Sequence, residues 1–238
     1  MTVHVREVGY SHEGTPLSGV LTLDGDAPVR RPAVLVLHGM EGRSQAQTEF
    51  AARLTRWGYA GFAADLFGIG DAGDAARGEP LMNAFLHDRA RLLRRMRHLL
   101  DVLKEQPEVD PERVAAIGFC FGGLCVLDLA RGGASLRAVA SFHGVLTPPE
   151  QAERPEIRAR IAVFHGWDDP YAPPADVLGL ARELTERGCD WQLHAYGHAM
   201  HSFMAPAADA PEAGIAYDEK AARRAWETCG SFLAESFA

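Results

Sequence analysis

The sequence predicts an α/β fold, built on a mostly parallel, doubly wound sheet with helices on both faces. Three observations predict it. Continuous apolar runs such as Ala33-Val34-Leu35-Val36-Leu37 read as strands covered on both sides. From residue 33 onward, such runs alternate with amphipathic helical segments. The length of 238 residues suits one domain over residues 1–238. We find no linker, internal repeat or insertion large enough for a separate cap domain.

The chain opens with Val3 to Val8, which alternates like a half-buried strand, and His12-Glu13-Gly14 makes a turn into a second strand, Leu17 to Leu23. These two should be antiparallel edge strands. The run Ala33 to Leu37 ends in the loop His38-Gly39-Met40-Glu41-Gly42. Ser44 to Trp57 has helical spacing, and Tyr59 to Ala64 returns as a strand. Leu66 to Pro80 is glycine-rich and reads as a loop. Leu81 to Lys104 reads as one long amphipathic helix, with Leu92, Met96, Leu99 and Leu103 near helical spacing. Arg113 to Ile117 is strand-like and Leu124 to Ala130 a buried helix. Leu136 to Phe142 and Ile161 to Phe164 are further buried strands. Ala175 to Arg187 is a helix, Trp191 to Tyr196 an alternating strand, and Tyr217 to Phe237 the closing helix.

A net charge of −8 argues against a nucleic-acid partner. No apolar run approaches a membrane span, and Met1-Thr2-Val3-His4-Val5-Arg6-Glu7 lacks the apolar core of a signal peptide. Cys120, Cys125, Cys189 and Cys229 match neither a zinc pattern nor a secreted disulfide framework. The expectation is a reduced, cytoplasmic protein, monomeric or homodimeric, with no metal and no cofactor.

The chemistry gathers in four loops expected at the carboxyl ends of strands, where ligands bind in such sheets. Ile117-Gly118-Phe119-Cys120-Phe121-Gly122-Gly123 is a cysteine version of the G-x-S-x-G nucleophile elbow, flanked by the required strand and helix. Gly118 and Gly122 would let strand and helix approach closely. The helix start would favour a thiolate. The bland reading is a glycine-rich turn holding a buried cysteine. The other loops are His38 to Gly42, His165-Gly166-Trp167-Asp168-Asp169-Pro170, and His198-Ala199-Met200-His201-Ser202-Phe203. Nucleophile, acid and histidine follow in the chain order of α/β-hydrolase triads.

With these motifs the chain resembles the dienelactone hydrolase family of α/β-hydrolases over nearly its whole length. The carrying segments are Val36 to Gly42, Gly118 to Gly123, Gly166-Trp167-Asp168-Asp169-Pro170 and Met200-His201-Ser202-Phe203. The resemblance implies a cofactor-free hydrolase of small-molecule esters or lactones. Cys120 would be the nucleophile, His201 the base and acid, and Asp169 the orienting carboxylate. The backbone N–H groups of Met40 and Phe121 would form the oxyanion hole. Two departures bear on the substrate and leave ester hydrolysis intact. The family commonly has a glutamate where this chain has Gly39, and the nearest carboxylate is Glu41. Where dienelactone-specific members place an arginine after the histidine, this chain has Phe203-Met204-Ala205-Pro206. Gly39 would leave Cys120 dependent on His201 for deprotonation.

Rival readings stand beside several of these residues. Asp168 competes with Asp169, and His198 with His201; the family spacing favours Asp169 and His201. Cys125, Cys189 and Cys229 read as structural. His38 and His165 should bond backbone rather than react. His143, at a strand end, is a pocket candidate, as are Gly39, Glu41 and Trp167. Tyr171, Phe85 and Met82 suit pocket wall or core equally. The same thiolate could attack an aryl phosphotriester, since both reactions develop negative charge on oxygen. A non-catalytic binding protein of this fold is the remaining alternative.

Overall fold

The computed structural model describes residues 3–25, 30–68, 74–150 and 154–238. It shows eight long strands in a mixed, mostly parallel sheet, with helices between them. The chain forms two compact units, residues 1–117 and 118–238.

In the first unit, β1 (Val3–His12) and β2 (Thr15–Asp24) pair antiparallel around the Glu13-Gly14 turn. β1 is an edge, as expected. β2 is not, because it also pairs antiparallel with β4 (Ala60–Ala63), which runs parallel to β3 (Arg31–Leu37). Between β3 and β4 lies α1 (Gln45–Leu54), which packs on β4. Ser44 starts it with a capping box, in which Gln47 Oε1 accepts the Ser44 N–H at 2.9 Å. Leu35, Leu37, Leu54, Phe62 and Leu99 are fully buried in this unit. Each such side chain contributes about 1.5–3 kcal/mol.

The long helix expected over Leu81 to Lys104 is two helices, α2 (Ala75–His87) and α3 (Arg89–Lys104). Asp88 divides them, since its carboxylate accepts the Arg91 N–H at 2.8 Å and caps α3. The apolar spacing runs on across this joint, so periodicity does not reveal it. The expected loop over Leu66 to Pro80 is also partly helical, because α2 begins at Ala75 behind an Asp74 cap. Positions 69–73 of that loop, including Gly70 and Gly73, lie outside the described residues. Gly78, read as a loop marker, is instead a contact requirement. A Cβ there would stand 1.8 Å from the Met40 carbonyl oxygen.

β5 (Val109–Phe119) runs from the first unit into the second. The second unit continues with α4 (Phe121–Arg131), β6 (Ala138–Phe142), β7 (Arg160–Gly166), α5 (Pro174–Glu186) and β8 (Trp191–Tyr196). β6, β7 and β8 are parallel neighbours. A small antiparallel pair follows, β9 (Asp209–Ala210) with β10 (Ile215–Ala216), then α6 (Glu219–Phe237). α4 packs on β6, and α6 packs on β6 and β7. Phe142 and Phe164 stack at 4.6 Å in this core. Among the described residues no helix is long and apolar enough to cross a membrane.

Cys120 is the single residue between β5 and α4. So abrupt a change of direction forces backbone against backbone: a Cβ on Gly118 would stand 2.0 Å from the Gly122 carbonyl oxygen. Gly118→Ala should therefore lower unfolding free energy by about 1–3 kcal/mol or more. Gly9→Ala, on β1 with nothing within 4 Å of a built Cβ, should be neutral or slightly stabilising. Urea unfolding of the two variants checks the contrast.

Candidate active site

The second unit brings Cys120, His143, Asp169 and His201 together. Cys120 has φ 54° and ψ −117°, a left-handed conformation that a residue with a Cβ adopts only when its surroundings impose it. Its N–H is held by two acceptors, the Phe142 carbonyl at 3.1 Å and His143 Nδ1 at 3.2 Å. The first turn of α4 begins at the next residue, Phe121.

Asp169 lies in the loop after β7 and His201 in the loop after β8. Backbone hydrogen bonds join these loops, from Trp167 N–H to the Tyr196 carbonyl at 2.9 Å and from Asp168 N–H to the Ala199 carbonyl at 3.0 Å. The approach is close enough that a Cβ on Gly166 would stand 2.6 Å from the Ala199 carbonyl oxygen. His201 is fixed from its other side, its N–H donating to the Gly214 carbonyl at 2.9 Å and its carbonyl accepting from Ala216 at 3.1 Å. The result is a buried pair, with His201 Nδ1 2.8 Å from Asp169 Oδ2. Asp169 Oδ1 accepts the Tyr171 N–H at 2.8 Å, so both carboxylate oxygens are engaged.

The two doublets sort by environment. Asp169 and His201 are buried, at 3% and 4% exposure. Asp168 and His198 form a solvent-exposed pair, 3.5 Å apart, with the His198 side chain 97% exposed. An exposed pair of this kind is worth little.

Burial works against charge on His201. The hydrogen-bonded Asp169 carboxylate first, then the nearby Cys120 side chain, outweigh it and raise the pKa to about 10. Both favour the protonated ring. Tyr171, half-exposed, lays its ring 4.8 Å from that of His201. Trp167 is similarly exposed and meets His165 edge-on at 6.2 Å.

His143 is buried, with its ring 5.3 Å from both His201 and Phe203. Because Nδ1 accepts the Cys120 N–H, Nε2 must carry the proton of the neutral ring. Nε2 is buried and has no hydrogen-bond partner among the described residues. A buried donor left in that state costs about 1–3 kcal/mol. Burial first, then the nearby His201, hold the His143 pKa well below the ordinary value. His165 departs from its expectation. It is buried, but neither ring nitrogen has a hydrogen-bond partner among the described residues.

Met40, Gly39 and Glu41 lie in the first unit, in the loop after β3. There Glu41 accepts a hydrogen bond from Gln47 at 3.3 Å. His38 engages backbone with both nitrogens, Nδ1 meeting the Gly39 carbonyl at 2.7 Å and Nε2 accepting the Leu66 N–H at 3.0 Å. Phe85 is buried against Phe67, and Met82 is half-buried. Among the described residues no group of three or more His, Cys, Asp or Glu side chains could hold a metal ion. None of the four cysteines is in a disulfide. A separate cleft of about 320 Å³ in the second unit is lined by residues that include Leu146, Arg154, Leu180 and Arg131. Arg131 is already saturated by Asp128, Glu183 and the Leu146 carbonyl.

The raised His201 pKa makes stability depend on pH. A group whose pKa is raised by folding contributes fully below its unfolded value, near 6.5, and loses that contribution as pH rises through about 10. The stability difference between wild type and His201→Gln should shrink across this window. Denaturant titrations at several pH values measure it.

The dienelactone hydrolase family model matches residues 17–237. A protein of Caenorhabditis elegans is 40% identical over 147 residues, covering 60% of this chain and 93% of its own. A Synechocystis protein, whose name carries carboxymethylenebutenolidase as a provisional activity, is 33% identical over 129 residues, 51% of this chain and 50% of that one. Among solved structures, a dienelactone hydrolase-like promiscuous phosphotriesterase from metagenomic libraries is similar with a TM-score of 0.94, 37% identity and 99% of each chain covered. The family model and the solved phosphotriesterase each match nearly the whole sequence. The chain belongs to the dienelactone hydrolase family and is a hydrolase acting on ester bonds.

Proposed function

We propose that this hydrolase cleaves carboxylic esters or lactones through a Cys120–His201–Asp169 triad and a covalent acyl-enzyme. The observation that carries the reading is the buried 2.8 Å Asp169–His201 bond, with Cys120 on the strained turn near enough to help raise the pKa of the same imidazole. A thiolate needs a proton partner that is itself held in one orientation, and the Asp169 bond holds His201 so.

The Cys120 thiolate attacks the substrate carbonyl carbon, forming the C–S bond while the carbonyl electrons move to oxygen. The Phe121 N–H, in the first turn of α4, donates to that oxyanion. As the tetrahedral intermediate collapses, the C–O bond breaks and the imidazolium of His201 gives its proton to the departing alkoxide. Neutral His201 then takes a proton from water, whose oxygen attacks the thioester. Collapse releases the acid and returns the thiolate–imidazolium pair. Asp169 keeps Nδ1 protonated throughout, so the other nitrogen faces the reacting groups.

A second reading is favoured by the similarity to the promiscuous phosphotriesterase. The same donors would stabilise negative charge on a phosphoryl oxygen. Rates on an aryl carboxylate ester and an aryl phosphotriester with one shared leaving group separate the two.

Cys120→Ala should abolish both iodoacetamide labelling at the site and turnover of aryl esters, by about a thousandfold or more. Retention of most of the esterase rate would show another nucleophile. Asp169→Asn should lower kcat by a factor on the order of 10³–10⁴, as loss of an orienting carboxylate does elsewhere. Asp168→Asn should stay within about twofold, since its pair is exposed. Equal losses in the two variants would remove Asp169 from the orienting role.

A further inference from the structure

The proposed reaction leaves one buried imidazole of the site unused. His143 follows β6 directly, at φ 38°, and its N–H donates to the Phe164 carbonyl at 2.8 Å. Its Nδ1 is the second acceptor for the Cys120 N–H. Two residues with positive φ and a side chain are thus bonded to each other, one of them the proposed nucleophile. Such conformations persist where the surroundings over-determine them. The Phe142 carbonyl alone gives the Cys120 N–H one acceptor; His143 supplies another from a different direction.

The cost side of this arrangement decides between packing and function. An apolar side chain would fill the space between Phe119, His201 and Phe203 without burying an unpaired Nε2–H. An unpaired buried donor costs more than one neutral hydrogen bond returns. Stability alone therefore does not favour histidine here. What histidine adds is a lone pair at Nδ1, aimed at the backbone of Cys120. Burial and the neighbouring His201 disfavour the charged form of the ring, which favours a free lone pair at Nδ1.

We propose that His143 is a positioning residue for the nucleophile: its Nδ1 and the Phe142 carbonyl clamp the Cys120 N–H and hold the left-handed turn on which the sulfur is presented. The inference rests on the cysteine mechanism proposed above.

The test compares His143→Leu, His143→Gln and His143→Asn with wild type. The readouts are hydrolysis of para-nitrophenyl acetate and alkylation of Cys120 by iodoacetamide. An asparagine amide can place an acceptor near the Nδ1 position, whereas glutamine reaches the Nε2 position. His143→Leu and His143→Gln should lower kcat about tenfold or more, with KM within about twofold, and slow alkylation in parallel. His143→Asn should recover most of both rates. Full kcat in His143→Leu overturns the proposal. So does recovery by glutamine but not asparagine, or a rise in KM with kcat unchanged. If the variants do not fold, nitrogen NMR of the wild-type imidazole decides. It should show the Nε2–H tautomer with no titration between about pH 5 and 9; an Nδ1–H or charged ring overturns the proposal. Turnover that survives Cys120→Ala removes the cysteine mechanism itself. An inactive Cys120→Ala beside a fully active His143→Leu removes only the positioning role.

Discussion

The site depends on a buried charge pair whose members come from different loops. Burying an imidazolium and a carboxylate costs several kcal/mol each unless every polar atom is engaged. Asp169 meets that condition with His201 on one oxygen and the Tyr171 N–H on the other. His201 Nδ1 meets it with Asp169. Breaking such a pair by removing one partner typically costs about 3–5 kcal/mol. The same bonds that make the pair tolerable fix the direction of the imidazole, so here the requirements of folding and of the proposed catalysis coincide.

The backbone around the pair serves that constraint. Gly166 lets the loop after β7 approach the loop after β8 closely. Hydrogen bonds from Trp167 and Asp168 then set the register between them. Within this register Asp169 and His201 are the buried members of their doublets. The exposed Asp168–His198 pair, 3.5 Å apart, shows what the same two residue types do in water. They form a screened contact that perturbs little.

The elbow solves a different problem. A nucleophile presented on a smooth strand–helix connection would be shielded by its own backbone. The sharp turn at Cys120 exposes the side chain at the cost of a strained φ, and the strain must be held from outside. Gly118 removes the steric obstacle, while Phe142 and His143 supply the acceptors for the Cys120 N–H. Sheet order matters for this reason. β6 must lie where its last residues reach the turn, so the strand is part of the site without supplying any member of the proposed triad.

Much of this was legible in the sequence. The continuous apolar runs marked the buried strands, and the order of Cys120, Asp169 and His201 with their flanking glycines and aromatics carried the family resemblance. The joint at Asp88 was not legible, because apolar spacing persists across it while a single carboxylate ends one helix and starts the next. Nor was the helical start at Ala75, where Gly78 answers to a contact with the Met40 carbonyl rather than to a turn. The bond between His143 and the Cys120 N–H joins residues 23 positions apart, and no local pattern encodes it. By itself the sequence determined the fold class, the family and the residue types available for chemistry, because periodicity and motif spacing are local properties. Only the tertiary structure decided which aspartate and which histidine are buried against each other, and which imidazole holds the turn. Burial and hydrogen-bond partners depend on which loops the folded chain brings together.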